Sequence, residues 1–241
     1  MDVYKRRPQK TKLEALKPSC KRTAVQSSLA QIAAEVALGE QLWGCESISD
    51  ETLSRAALSA AQHERYTRAL VILNYIIDRN PSAVHYSNRG LVYLWSGQVE
   101  QALADCDYAL RINPQLEQAY NNRANCYAAL NRWEEAISDY DRAVDLNPFN
   151  VRARVNLGVT FRDQGKYSAA LEVFDEALLF RQLPEHVYTE RGRTYHLRGD
   201  WNCAIADYHR ALSTLSRTES VTAQKLKQRV QGWLDELLSS N

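Results

Sequence analysis

Small side chains recur along this chain at a nearly constant interval. The first series, Ala57, Gly90, Ala124, Gly158 and Gly192, is spaced by 33, 34, 34 and 34 residues. A second series follows twelve residues later, at Ala69, Ala102, Ala136, Ala170 and Ala204. A period of this length indicates an array of structural repeats, each of which must stack on its neighbours to bury a core.

Each repeat contains two helical patterns separated by a turn. In the second repeat, aromatic and small residues fall at positions i, i+4 and i+7, namely Tyr86, Gly90 and Tyr93. This spacing places them on one face of a helix. Residues 102–110 form a second such face, and Gly97 lies between the two and breaks the helix. The small residues allow neighbouring helices to approach closely, and the aromatic side chains fill the remaining space.

This period and these residue types resemble the tetratricopeptide repeat (TPR) family, and bacterial members of it in particular. The resemblance implies an all-α fold, a right-handed superhelical solenoid of TPR helix-turn-helix hairpins with flanking N- and C-terminal helices. About five repeats are predicted within residues 50–216, at 50–82, 83–116, 117–150, 151–184 and 185–216. The first repeat is degenerate, with Leu53 and Ala60 at aromatic positions. The fourth has Gln182 where proline is expected, so its second helix is expected to end differently.

The segments outside the repeats have their own patterns. Residues 1–22 hold eight Lys and Arg against two acidic residues and lack periodicity, which predicts a disordered basic tail. That tail is either solvated or binds an anionic membrane surface or nucleic acid. Residues 23–49 are predicted to contain a helix that caps the array or contacts a partner, and residues 217–241 a C-terminal capping helix. The apolar stripe of the latter comprises Val221, Leu226, Val230, Trp233, Leu237 and Leu238.

The sequence carries no motif typical of an enzyme. None of HExxH, GxSxG, GxGxxG or GxxxxGK[ST] occurs, and the five histidines do not combine with cysteines or carboxylates at a metal-binding spacing. We therefore predict a non-enzymatic protein with no cofactor, metal or small-molecule substrate. Five widely spaced cysteines without a CxxC motif favour free thiols in a reducing compartment, the cytoplasm. No apolar run approaches the ~20 residues needed to cross a bilayer.

The resemblance implies that the first helix of each repeat lines a concave groove. Family positions carried over by register predict a partner-binding groove formed by Asn88, Leu91, Leu94, Trp95, Asn122, Asn125, Arg152, Asn156, Arg162 and Arg193. The groove is apolar at one end and basic at the other. This gradient predicts a partner protein or peptide segment with apolar and acidic residues, unless the charges are simply scattered. The predicted role is an interaction scaffold or assembly factor.

The asparagines of the groove allow two interpretations. Asn88, Asn122 and Asn156 share one phase of the repeat, and an amide is both a donor and an acceptor. A ladder of amides can pair with the backbone of a bound peptide, or it can join neighbouring helices of the protein itself.

A clamp for a chaperone's C-terminal carboxylate is incomplete. Asn125 and Asn156 match its two asparagine positions, but Asn121 and His186 stand where lysine is needed. The resemblance therefore does not predict binding of Hsp70 or Hsp90 tails.

Overall fold

The computed structural model describes residues 49–216 and 220–239, and these residues contain helices and no strand. Predictions for residues 1–48, the basic tail and the N-terminal helix, lie outside the described residues. Eleven helices are described: α1 (Asp50–Gln62), α2 (Tyr66–Arg79), α3 (Ala83–Trp95), α4 (Val99–Ile112), α5 (Glu117–Ala129), α6 (Trp133–Leu146), α7 (Val151–Asp163), α8 (Tyr167–Leu179), α9 (Pro184–Arg198), α10 (Trp201–Leu215) and α11 (Val221–Ser239). The all-α solenoid is confirmed.

The helices pair into five antiparallel hairpins, α1–α2 through α9–α10, and each hairpin packs on the next. Every hairpin turn contains a residue in the left-handed region, which ends the first helix of the pair. These residues share one phase of the repeat: Glu64, Gly97, Asn131, Gly165 and Gly199, with φ between 57° and 92°. Glycine and asparagine adopt this conformation most readily, which is why Gly97 breaks its helix as predicted.

The fourth hairpin ends as the sequence predicted. Helices α2, α4 and α6 are each followed by an asparagine and then a proline, whereas α8, which ends at Leu179, is followed by neither. The chain then passes through Arg181 and Leu183, both with positive φ, before Pro184 opens α9. Leu183 therefore lies in an irregular turn between α8 and α9 and not within a helix.

Close contact between the two helices of a hairpin depends on the small residues of the first series. A Cβ atom added to Gly158 would lie 2.7 Å from the ring of Phe174, and one added to Gly192 would lie 2.9 Å from Tyr208. Both rings are fully buried. The aromatic ring of the second helix therefore packs directly against the backbone of the first.

A repeated arginine–aspartate pair joins the helices of three hairpins. In each pair the guanidinium donates two hydrogen bonds, from Nε and Nη2, to the two carboxylate oxygens at 2.6–2.9 Å. The pairs are Arg89–Asp105, Arg123–Asp139 and Arg191–Asp207. Each guanidinium also stacks between two tyrosine rings of its own helix, at 5.3–5.9 Å. Such bidentate pairs fix both distance and register.

The same arginines also reach back to the preceding repeat. Their Nη1 atoms donate to Asn74, Asp107 and Asp175, at 2.7, 2.8 and 2.5 Å respectively. Each guanidinium thus links the two helices of its own hairpin and also links that hairpin to the preceding one. We refer to these contacts as the arginine ladder.

Each arginine–aspartate pair is a rung of the arginine ladder, and the fourth hairpin has an apolar pair in place of its rung. Leu157 and Val173 occupy the positions that Arg123 and Asp139 hold one repeat earlier, and they lie in one apolar cluster. The carboxylate that would receive the missing arginine is Asp141, and no hydrogen bond or ion pair to it occurs among the described residues. The Asp141 side chain lies at the surface, but partial desolvation by its neighbours, together with the charge of Asp145, raises the pKa of Asp141 above its ordinary value.

Helix α11 covers the last hairpin. Ala223, Leu226 and Val230 pack with α10 residues such as Tyr208 and Leu215 in one cluster. The predicted stripe needs one correction: Leu238 is exposed, and Leu234 is buried in its place because the helix keeps a spacing of three to four residues through Leu237.

Adding a methyl group at Gly158 is expected to destabilise the protein. Gly158→Ala should lower the free energy of unfolding by about 1–3 kcal/mol, because the added Cβ atom would lie 2.7 Å from the buried Phe174 ring. Gly232→Ala is the matched control, since a Cβ atom there meets nothing within 4 Å. That change should stabilise α11 by about 0.5–1 kcal/mol. Urea denaturation measures both, and equal effects would show that the hairpin contact is misplaced.

Removing one partner of a ladder rung is expected to lower the stability of the protein more than removing both partners. Arg123→Leu leaves Asp139 buried without its cation and should destabilise by about 3 kcal/mol. The double variant Arg123→Leu/Asp139→Val copies the natural pair Leu157/Val173 and should recover most of that loss. Thermal unfolding of the wild type, Arg123→Leu, Asp139→Val and the double variant gives the coupling energy, and additive losses would contradict this account.

Asp141→Asn is expected to raise the melting temperature at neutral pH. The folded-state pKa of Asp141 lies above its unfolded value, so ionisation of this carboxyl opposes folding at high pH. The advantage of the variant should shrink as the pH falls and vanish below the ordinary aspartate pKa. Glu100→Gln, an exposed carboxylate on α4, serves as the control. Melting curves from pH 3 to 8 test this, and a gain that persists at pH 3 would exclude the charge as its cause.

Candidate protein-binding groove

A cavity of about 360 Å³ opens on the surface formed by the first helices of the repeats. Four successive first helices, α3, α5, α7 and α9, contribute side chains, together with the loop before α9. The lining residues are Leu91, Trp95, Asn121, Asn122, Asn125, Arg152, Val155, Asn156, Leu183 and His186. Six of the ten residues predicted for the groove are among them.

The side of the cavity nearer the N-terminus is apolar. Trp95, the last residue of α3, is 41% exposed although its ring is among the largest apolar groups of the protein. Leu91 lies one turn earlier on the same helix. An aromatic side chain left this open offers a large contact area at low entropic cost to a partner.

The asparagines of the groove form a directed chain of hydrogen bonds between repeats. Asn156 donates from Nδ2 to Oδ1 of Asn121 at 3.1 Å, and Asn121 donates to Asn122 at 3.4 Å. Asn122 is buried and donates to Ser87 Oγ and to its carbonyl oxygen at 3.0 and 3.2 Å. In the structure, Asn122 and the Nδ2 group of Asn156 therefore join neighbouring helices of the protein itself.

Two amide groups keep free hydrogen-bonding capacity. Burial raises the pKa of Tyr140, so its hydroxyl stays protonated and donates to Asn125 Oδ1 at 2.6 Å. This bond fixes the orientation of the Asn125 amide and leaves its Nδ2 without a partner among the described residues. The Asn156 Oδ1 is likewise unengaged there. One donor and one acceptor therefore remain in the lining of the cavity.

Arg152 supplies the cavity with an available positive charge. Its side chain is exposed at the start of α7, and no hydrogen bond or ion pair to it is found within residues 49–216 and 220–239. Because a guanidinium stays charged and offers a planar fork of donors, this residue can bind a carboxylate in bidentate fashion.

The other two predicted cations are engaged by the protein's own side chains. Arg162 pairs with Glu190 at 2.6 Å and with Asp163 at 3.0 Å, and only 12% of its side chain is exposed. Arg193 lies over the Trp233 ring at 5.0 Å and within 3.8 Å of the Glu236 carboxylate. Neither lines the cavity, so the basic end of the predicted groove reduces to Arg152 and its neighbour His186.

Residue His196 adds no charge to that end. It accepts a hydrogen bond at Nδ1 from Arg193 at 3.1 Å. Burial, and then the charge of Arg193, lower the pKa of His196, so the imidazole is neutral at pH 7.

A family model described as tetratricopeptide repeat matches residues 54–117 and 121–187. The chain belongs to the tetratricopeptide repeat family. Among solved structures, TTC0263, a thermophilic TPR protein in Thermus thermophilus, superposes with a TM-score of 0.67 at 20% identity over 76% of this chain and 98% of that one. A crystal structure of MamA superposes with a TM-score of 0.53 at 17% identity, over 67% and 95% of the two chains. At these identities the likeness shows the fold alone.

Six of the ten residues that the TPR register predicts for the groove line the cavity, and four do not. Asn88 and Leu94 are only partly buried on α3 but do not line the cavity, and nor do Arg162 and Arg193. Asn121, Val155 and His186, which the same register also places on the groove face, do line it. Leu183 could not be placed by register because it lies in the irregular end of the fourth repeat. The signal was available in the displaced Pro184, which follows it directly.

The described part of the TPR array offers little for other kinds of site. No group of three or more His, Cys, Asp or Glu residues within it could hold a metal ion. Cys106, Cys126 and Cys203 are free thiols, the first two buried and the third exposed. None of the helices in this part is both long and apolar enough to cross a membrane.

Proposed function

We propose that this TPR protein is a non-enzymatic interaction scaffold, or assembly factor, which binds a segment of a partner protein in the cavity between α3, α5, α7 and α9. The observation that carries the proposal is the combination of an exposed Trp95 and an unengaged Arg152 in one cavity. The TPR fold supports binding of protein or peptide partners. The free thiols support the cytoplasm as its compartment.

The chemistry of the lining defines the segment that would fit. An aspartate or glutamate of the partner pairs with Arg152, and an apolar side chain packs on Trp95 and Leu91. Between them, one peptide unit accepts a hydrogen bond from Asn125 Nδ2 and donates one to Asn156 Oδ1. The partner therefore needs one well-placed carboxylate, not an acidic stretch, because Arg162 and Arg193 already have partners.

The experiment is a selection from a random peptide display library against the full-length protein. We expect enriched peptides to share one acidic residue and a large apolar residue at a fixed spacing. Fluorescence anisotropy with a selected peptide then compares matched variants. Trp95→Ala should weaken binding about thirtyfold, since truncating such an anchor costs about 2 kcal/mol. Its control, Trp201→Ala, removes a Trp that is 50% exposed outside the cavity.

The charge is tested in the same way. Arg152→Glu should abolish the preference for an acidic residue and most of the salt dependence of binding. Arg142→Glu makes the same charge change at an exposed position on α6, outside the cavity, and should have little effect. Circular dichroism confirms that the variants are folded. Folded Trp95 and Arg152 variants that bind as tightly as their controls would place the site elsewhere.

A further inference from the structure

The junction between the third and fourth repeats, where α6 meets α7, lacks a link that the other junctions have. At each of the others, a ladder arginine donates to the preceding repeat: Arg89 to Asn74, Arg123 to Asp107 and Arg191 to Asp175. Here the arginine is replaced by Leu157, and Asp141 on the opposite side has no cation paired with it in the described part of the chain.

Apolar packing, together with a single amide hydrogen bond from Asn156 to Asn121 at 3.1 Å, holds this junction in place of the arginine link. Tyr140 of α6 and Leu157 of α7 share one cluster, against which Phe161 packs. Such contacts stabilise in proportion to the area they bury but do not depend on direction, whereas a bidentate arginine pair fixes an angle. A slight rotation of the two apolar surfaces on each other therefore loses little contact and strains only that one amide hydrogen bond.

The groove side of the junction is also the most open. Contact between first helices of successive repeats is sparsest for α5 and α7 among the described pairs, and the cavity opens between them. Trp95 lies on one side of the opening and His186 on the other. A change of angle at this junction would change the width of the cavity directly.

A weak contact connects the far ends of the two halves. Lys225 of α11 lies 3.2 Å from Glu64, in the turn of the first hairpin, although 161 residues separate them. Both side chains are about two-thirds exposed. Exposed ion pairs contribute little and are screened by salt, so this contact can form and break readily.

We propose that the α6–α7 junction is a hinge between two blocks, residues 50–146 and residues 151–216 with 220–239, and that the Lys225–Glu64 ion pair favours the arrangement in which the far ends of the blocks meet. The short connection, 147–150, joins the blocks, and each block keeps its own ladder rungs. This hinge is a property of the free protein and does not depend on the proposed partner.

The experiment is a distance measurement between spin labels attached to non-natural amino acids, so that the native cysteines stay unmodified. Labels at Gln101 and Asn202, both exposed, span the hinge, and labels at Gln101 and Arg142 lie within one block. The distance distribution across the hinge should be about twice as wide as that within the block. Equal widths would exclude the hinge.

Two sets of variants test its parts. Leu157→Arg/Val173→Asp restores the missing rung next to Asp141 and should narrow the distribution across the hinge to the width seen within the block. An unchanged width in the folded variant would overturn the proposed cause.

Lys225→Glu, a change at the surface, should lengthen the mean distance across the hinge. About 1 M salt, where the Debye length is about 3 Å, should do the same. Glu64→Lys/Lys225→Glu should restore it, and a mean distance unaffected by all three would exclude the ion pair.

Discussion

The close approach of the two helices of a hairpin, with an aromatic ring of one against the backbone of the other, governs this structure. Gly158 and Gly192 have no Cβ atom, so the rings of Phe174 and Tyr208 lie against the opposite backbone. This spacing brings the arginines of the first helices within reach of the aspartates of the second, and each ladder rung then locks the register. These contacts set the rotation and the axial position of each first helix. The groove side chains project from the other side of the same helices, so these contacts also set their positions.

Much of the fold followed from the sequence because its causes are local and repeated. The series that includes Gly158 marks one face of the first helices, Gly97 marks a hairpin turn, and the displaced Pro184 indicates the altered end of α8. The groove was harder, since register places a Cα atom on a surface but does not say what its side chain binds. Arg162 and Arg193 have the expected positions, yet Glu190 and Trp233 engage them. The ladder was missed because its partners lie 16 residues apart, beyond any helical period.

The groove illustrates how a repeat protein limits its own binding surface. The donor groups of Asn122 and Asn156 are used between helices and are therefore not available to a partner. What the described lining leaves for a partner is small and specific: one guanidinium, one indole ring, one amide donor and one amide acceptor. A surface of this composition selects by the arrangement of a few contacts and not by overall charge.

The apolar rung of the fourth repeat also bears on how the molecule unfolds. In a linear array every repeat contacts only its neighbours, so cooperativity passes from one to the next through the junctions alone. A junction that lacks the arginine link transmits less of it than the others. We therefore expect the cooperativity of unfolding to be lowest at Leu157, while the buried cluster around Val230 covers the outer end of the last repeat.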